Sequence, residues 1–112
     1  NILRTPGGDD FITPSNEVYL VDLSTGQTTS PFRELLQKQN VRTKTEGLSQ
    51  VLNDGTVFVE ESNQGRLLKG SSRDLQWSYI ERIEKGYLAM TGWSRYLTAD
   101  YVNPILPKLK CK

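Results

Sequence analysis

Short β-rich runs of largely apolar residues, separated by clusters of turn formers, dominate the chain and predict strands joined by tight turns; in Leu75 to Ile80 apolar and polar positions also alternate. The clearest run is Glu17 to Leu23, followed by a turn at Ser24-Thr25-Gly26 and an outer strand over Gln27 to Ser30. Asp10 to Thr13 predicts an earlier strand that turns at Pro14-Ser15-Asn16, and Asn1 to Arg4 holds part of an inner one. Further along, Leu48 to Leu52, Thr56 to Glu60, Arg66 to Lys69 and Leu75 to Ile80 read as four successive strands. Asn53-Asp54-Gly55, Ser62-Asn63-Gln64-Gly65 and Gly70 to Asp74 are the turns between them. Between the two strand-rich stretches, Phe32, Leu35 and Leu36 have helical spacing, so Phe32 to Gln39 predicts a short amphipathic helix with Pro31 suited to its first turn. Tyr87 to Thr91 and Trp93 to Leu97 read as a strand pair after the turn Glu84-Lys85-Gly86. Thr98 then caps a short helix over Ala99 to Asn103, and Pro104 and Pro107 predict an extended tail.

The two strand-rich stretches can be superposed in sequence. Placing Phe11-Ile12 over Phe58-Val59, 47 positions apart, also brings Ser15-Asn16 onto Ser62-Asn63, Leu20-Val21 onto Leu67-Leu68 and Phe32 onto Tyr79. A four-stranded unit recurring at roughly this spacing (about 40–50 residues) is the pattern of propeller blades. The expected fold class is therefore all-β: about two four-stranded antiparallel blades of a β-propeller, with short helices between the blades and near the C-terminus. The expected organisation is a partial blade over 1–32, a helix and loop over 33–47, a blade over 48–80, and a C-terminal strand pair, short helix and tail over 81–112. A closed propeller needs roughly four to eight blades, so the remaining blades, or another chain, are the expected partners.

Composition narrows the chemistry. Lys and Arg total 14 against 13 Asp and Glu, a net charge of +1, which gives no electrostatic case for nucleic acid. No apolar run approaches the roughly 18 residues of a spanning helix, so no membrane-spanning segment is expected. Asn1 reads as a processed end or a cut, two origins the sequence does not separate. The single cysteine, Cys111, has no partner within the chain; it reads as a free thiol or as a bridge to another segment. Such a bridge would suit a secreted, periplasmic or organelle-lumenal setting, although no location is assigned. The 112 residues contain no histidine, which removes Ser-His-Asp and Cys-His chemistry and His-ligated metals from this chain. Asp9-Asp10 lacks further oxygen ligands at a suitable spacing, so no metal and no cofactor are expected.

The run Gly55-Thr56-Val57-Phe58-Val59-Glu60-Glu61-Ser62-Asn63-Gln64-Gly65-Arg66-Leu67-Leu68, continued by Leu75-Gln76-Trp77-Ser78-Tyr79, resembles the arylsulfotransferase family of β-propeller enzymes. Gly92-Trp93-Ser94-Arg95-Tyr96 is similar to the C-terminal region of that family, and the resemblance spans about 47–98. It implies sulfuryl transfer from an aryl sulfate to a phenol through a sulfated histidine in a central channel, assisted by His, Asn and Arg. This chain departs from that pattern because it has no histidine, so no catalytic residue is assigned. The resemblance implies a C-terminal portion of such a protein, silent alone, with a phenolic or aryl sulfate ligand in the complete molecule. The alternative is a non-catalytic propeller module for protein interaction or scaffolding, or a small free-standing β domain that pairs with other chains.

Three residues are candidate substrate contacts. Arg66 reads as an anion contact or as an ion-pair partner of Glu60 or Glu61. Glu60 and Glu61 point to opposite faces if the strand is regular, so one could line a channel while the other bonds the blade or meets water. Asn63 matches Asn16 in the repeat and reads as a substrate contact or as a repeated turn residue. Trp77, Tyr79, Trp93 and Tyr96 could form an aromatic wall or pack between blades. Arg95 could pair with Trp93.

Overall fold

The computed structural model describes residues 2–4, 15–43, 45–85 and 87–109. Among the described residues, nine strands fall into three antiparallel sheets. The first is β1 (Ile2–Arg4), β2 (Glu17–Val21) and β3 (Thr28–Thr29), in sequence order. The second is the four-stranded meander β4 (Leu48–Val51), β5 (Val57–Glu61), β6 (Arg66–Gly70) and β7 (Leu75–Ile80). A two-stranded ribbon, β8 (Arg82–Glu84) and β9 (Tyr87–Leu88), follows. Helices are short: α1 (Arg33–Lys38) between the first two sheets and α2 (Ala99–Val102) after the ribbon. The all-β expectation holds, and each strand of the four-stranded sheet lies within two residues of its sequence-derived limits. The expected strand over Asp10 to Thr13 lies outside the described residues, as does Cys111.

Local chemistry explains the turns. Gly55 takes φ 79°, the left-handed backbone a β4–β5 hairpin needs, while the Asp54 carboxylate accepts the Thr56 amide at 3.0 Å. Between β5 and β6 a 3-10 turn (Ser62–Gln64) ends on Gly65 at φ 56°. Helix α1 ends in a Schellman arrangement. Asn40 sits at φ 49° and its amide donates to Gln37, while Val41 donates to Leu36 at 2.9 Å. Asparagine is among the few side-chain-bearing residues that tolerate this conformation.

The core lies between α1 and the two larger sheets. Leu35, Leu36 and Phe32 meet Val18 of β2, Val41, Val57 and Val59 of β5, and Leu68 of β6. Full burial of a Leu or Val is worth about 1.5–3 kcal/mol each. Leu35 approaches Gly70 so closely that a Cβ there would lie 2.8 Å from its Cδ2. A two-pronged ion pair from Arg33 to Glu17 (2.9 and 3.1 Å) fixes the helix start on β2. Strand β5 is buried on both faces, Val57, Val59 and Glu61 on one and Phe58 and Glu60 on the other.

The C-terminal region differs from its sequence reading. The ribbon pairs Arg82–Glu84 with Tyr87–Leu88 about the expected turn, and 93–97 forms no strand. Trp93 takes φ 62°, which breaks an extended run. The following amides find side-chain partners on the second sheet: Ser94 donates to Glu60 at 2.6 Å, and Tyr96 both donates to and accepts from the Gln50 amide (3.1 and 3.2 Å). The segment thus lies across the sheet face instead of pairing in a ladder. The tail is not extended either: Leu106–Lys108 forms a 3-10 turn whose early position suits the fixed φ of Pro107.

Candidate functional site

The end of the β5–β6 hairpin separates two clefts, and all three sequence-derived candidates stand on it. Because successive strand residues point oppositely, Glu60 faces one cleft and Glu61 the other. Both are essentially fully buried.

On the first side, Arg42, Arg66 and Arg82 surround a cleft of about 380 Å³, with Gln39, Asn40, Gln64, Ile80 and Glu61. Arg66 donates its Nε–H to Glu61 and a terminal N–H to the Gln39 carbonyl at 2.8 Å. The other Glu61 oxygen accepts the Arg42 amide. Of the two readings of Arg66, the ion pair is therefore present and is made with Glu61. Local folding builds this cleft: the Asn40 turn leaves the Gln39 carbonyl open to Arg66 and carries Arg42 to the cleft wall. Gly65 brings in Arg82, because its carbonyl accepts Glu81 N–H at 2.8 Å just before β8.

On the second side, Glu60, Ser62, Gly92 and Trp93 border a cleft of about 320 Å³, together with Thr45–Leu48. Burial pushes the Glu60 carboxyl up, but hydrogen bonds from the Ser62 hydroxyl (2.6 Å) and from Ser94 outweigh it, so the group lies below the ordinary carboxylate range. Glu60 is thus an ionised acceptor that holds the Trp93–Tyr96 segment. Trp93 itself is 83% exposed at the cleft rim.

Asn63 is turned into the connection before β4. Its Oδ1 accepts the Thr43 hydroxyl and the Thr45 amide (2.9 and 3.0 Å), and its Nδ2 donates to Thr45 Oγ1 at 3.1 Å. Asn16 holds the same connection from the other side: its side-chain oxygen accepts the Thr43 amide and its backbone N–H donates to the Val41 carbonyl at 2.9 Å. The four aromatics divide. Trp77 and Tyr96 stack at 6.5 Å with Phe58 against both, Tyr79 donates to Glu81, and Trp93 stands apart on the rim. Arg95 bonds the Ser94 carbonyl. The cation over an aromatic ring is Lys69, 5.3 Å from the Tyr96 centroid, with its ammonium also bonded to Gln76 and Asp54. Arg42, Arg82 and Lys69 carry no sequence signal of these roles, since turns and strand pairing assemble them from separate segments.

Comparison with known proteins supplies the family. The model of the family described as Arylsulfotransferase (ASST) matches residues 6–82, more than half of the chain and the whole four-stranded sheet. The chain belongs to the arylsulfotransferase family. No curated protein and no solved structure matches it. Within the arylsulfotransferase match lie Arg42, Glu60, Glu61, Asn63, Arg66 and Arg82, while Trp93 and the segment clasped by Glu60 lie beyond it. Among the described residues no group of three or more His, Cys, Asp or Glu side chains could hold a metal ion, and no helix is long and apolar enough to cross a membrane.

Proposed function

We propose that the chain is a portion of an arylsulfotransferase-like β-propeller protein, with 48–80 as one blade and 1–32 as part of another. The observation that carries this is the four-stranded antiparallel meander ending in β7, a strand exposed along its whole length although it carries Leu75, Trp77, Tyr79 and Ile80. An apolar outer strand of this kind needs a neighbour, and a further blade of the same protein supplies one. The complete protein then transfers sulfuryl groups between aryl sulfates and phenols. Such a reaction builds negative charge on the sulfate and the leaving oxygen, which fixed guanidinium groups stabilise. Arg66 is the residue we assign to anion contact. Glu60 and Asn63 support it by holding the segments that frame the clefts.

The chain alone has no histidine to carry the sulfuryl group, so its nucleophile lies in other parts of the protein. The same absence favours a second reading, a propeller module that binds partners without catalysis. Incubation with an aryl sulfate donor and a phenol acceptor separates them. The complete protein should transfer sulfate and the 112-residue chain should not. Turnover by this chain alone would overturn the division of labour, and an inert complete protein would favour the binding module.

A further inference from the structure

We infer that two copies of this chain exchange residues 93–97, each seating its segment on the four-stranded sheet of the other to form a dimer. The seat is the sheet face that carries Gln50, Phe58, Glu60 and Lys69, and its occupant in a single chain shows what it recognises. Two alternate residues of the segment are held by their backbone. Glu60 accepts the Ser94 N–H at 2.6 Å, while Gln50 accepts the Tyr96 N–H and donates to the Tyr96 carbonyl (3.1 and 3.2 Å). The Tyr96 ring lies beside Phe58 and Trp77, with centroids 5.9 and 6.5 Å away, and the Lys69 ammonium stands over it. These contacts run from side chains of the sheet to the segment, so a second copy reproduces each of them. Contacts common to both forms cancel, and the hinge that joins the segment to the ribbon decides between closed monomer and exchanged dimer.

That hinge is strained in the closed form. Ala89 is fixed, its N–H donating to the Glu81 carbonyl at 3.2 Å, so the chain turns back within 90–93. Trp93 carries the turn at φ 62°, left-handed backbone that is costly for a bulky side chain. Its indole is 83% exposed, so burial does not offset the cost. Independently, the Thr91 hydroxyl oxygen is buried and has no hydrogen-bond partner among the described residues. A hinge that runs on to a second copy leaves the left-handed region at Trp93 and frees the Thr91 hydroxyl to find a partner. Gly92 lies between the two with open space around its Cβ position, so the hinge has room to turn there. Strain concentrated in a short hinge is the condition under which copies exchange elements. The exchange requires neither the propeller reading nor sulfuryl transfer.

Sedimentation velocity of the 112-residue chain over a series of concentrations tests the exchange. The dimer fraction should rise with concentration. Trp93→Gly takes the left-handed backbone without strain and should favour the closed monomer. One relieved hinge is worth about tenfold, so the two hinges of a dimer should lower its association constant about a hundredfold. Trp93→Ala removes the same indole but keeps the strain, so it should dimerise like the unmodified chain. A mixture of isotope-labelled and unlabelled chains reads the contact itself: in the dimer, nuclear Overhauser contacts between the Tyr96 and Phe58 rings should pass from one copy to the other. Three results would overturn the exchange. One is a chain that stays monomeric up to about 1 mM, the effective concentration of a short flexible link. Another is a dimer whose Tyr96–Phe58 contacts stay within one chain. The third is equal loss of the dimer in Trp93→Gly and Trp93→Ala, which would assign association to the exposed indole.

Discussion

Glu60 and Glu61 are adjacent in β5, both buried, and bind different parts of the molecule: Glu60 holds the Ser94 amide and Glu61 holds Arg42 and Arg66. The pleat produces this division, since consecutive side chains leave opposite faces. One strand thereby fixes the C-terminal segment on one side and the arginine cleft on the other. The two carboxylates can therefore be altered independently.

Glu60→Gln keeps one acceptor oxygen but turns an amide NH2 toward either Ser94 N–H or the Ser62 hydroxyl. The hydroxyl can rotate to accept, so the expected loss of stability is about 1–2 kcal/mol. Hydrogen exchange at the Ser94 amide should accelerate more than exchange within β5 and β6. Equal acceleration across the whole sheet would contradict a local clasp.

Glu61→Gln should cost more. It removes the charge that compensates a largely buried Arg66 and sets an NH2 against one of two donors. Breaking a buried pair from one side typically costs about 3–5 kcal/mol, and the partial exposure of Arg66 places this case near 3. Urea unfolding of the two variants measures the contrast. An Glu61→Gln loss no larger than that of Glu60→Gln would mean that the ion pair is not what holds the hairpin end.

Acid should destabilise the chain in a defined window. The Glu17 carboxyl is pushed up by burial but pulled further down by hydrogen bonds from Tyr19 and by Arg33, and Glu60 is lowered as described. Asp54 is held at about 2 by the Thr56 hydroxyl and amide, with Lys69 assisting. Carboxyls depressed in the folded state take up protons more readily when unfolded. Their contribution is complete above the ordinary values near 4.5 and is lost as pH falls through the folded ones. Urea midpoints should be level from neutrality to about pH 5 and fall below it. Asp54→Asn should flatten the most acidic part of that decline, and a midpoint that rises on acidification would refute the assignment.

The strands were legible because hairpins are local: the β-rich run Glu17–Val21, the alternation in Leu75–Ile80, and turn formers such as Asn53-Asp54-Gly55 depend on residues close in the chain. The family resemblance lay in the same local text, between Gly55 and Tyr79. The arginine cleft was only partly legible. Arg66 could be singled out beside Gly65, but Arg42 and Arg82 reach it through the α1 terminus and the β8 ribbon, which sequence spacing does not encode. Residues 93–97 were misread as a strand because the side chains of Gln50 and Glu60 act as the hydrogen-bonding edge, a role that backbone periodicity does not report.

Asn40 closes α1 in the left-handed region and sets the direction in which Arg42 leaves the helix. Asn40→Gly should fold with equal or slightly higher stability, because glycine adopts this conformation without strain. Asn40→Val should lose about 1–2 kcal/mol, the cost of left-handed backbone for a side chain branched at Cβ. Thermal unfolding of both variants measures the pair. Equal behaviour of Gly and Val at this position would show that the turn does not depend on the Asn40 conformation.

Gly65 is constrained twice. Its φ of 56° disfavours any side chain, and a Cβ would lie 2.0 Å from the Ala89 carbonyl oxygen. Gly26 provides the control, since it has φ 73° with nothing within 4 Å of its Cβ position. Gly26→Ala should therefore cost about 1 kcal/mol from backbone strain alone. Gly65→Ala carries a similar strain and must also displace backbone, so its loss should exceed that of Gly26→Ala by about 1–3 kcal/mol. Equal losses in the two variants would show that the 81–89 segment does not pack on Gly65.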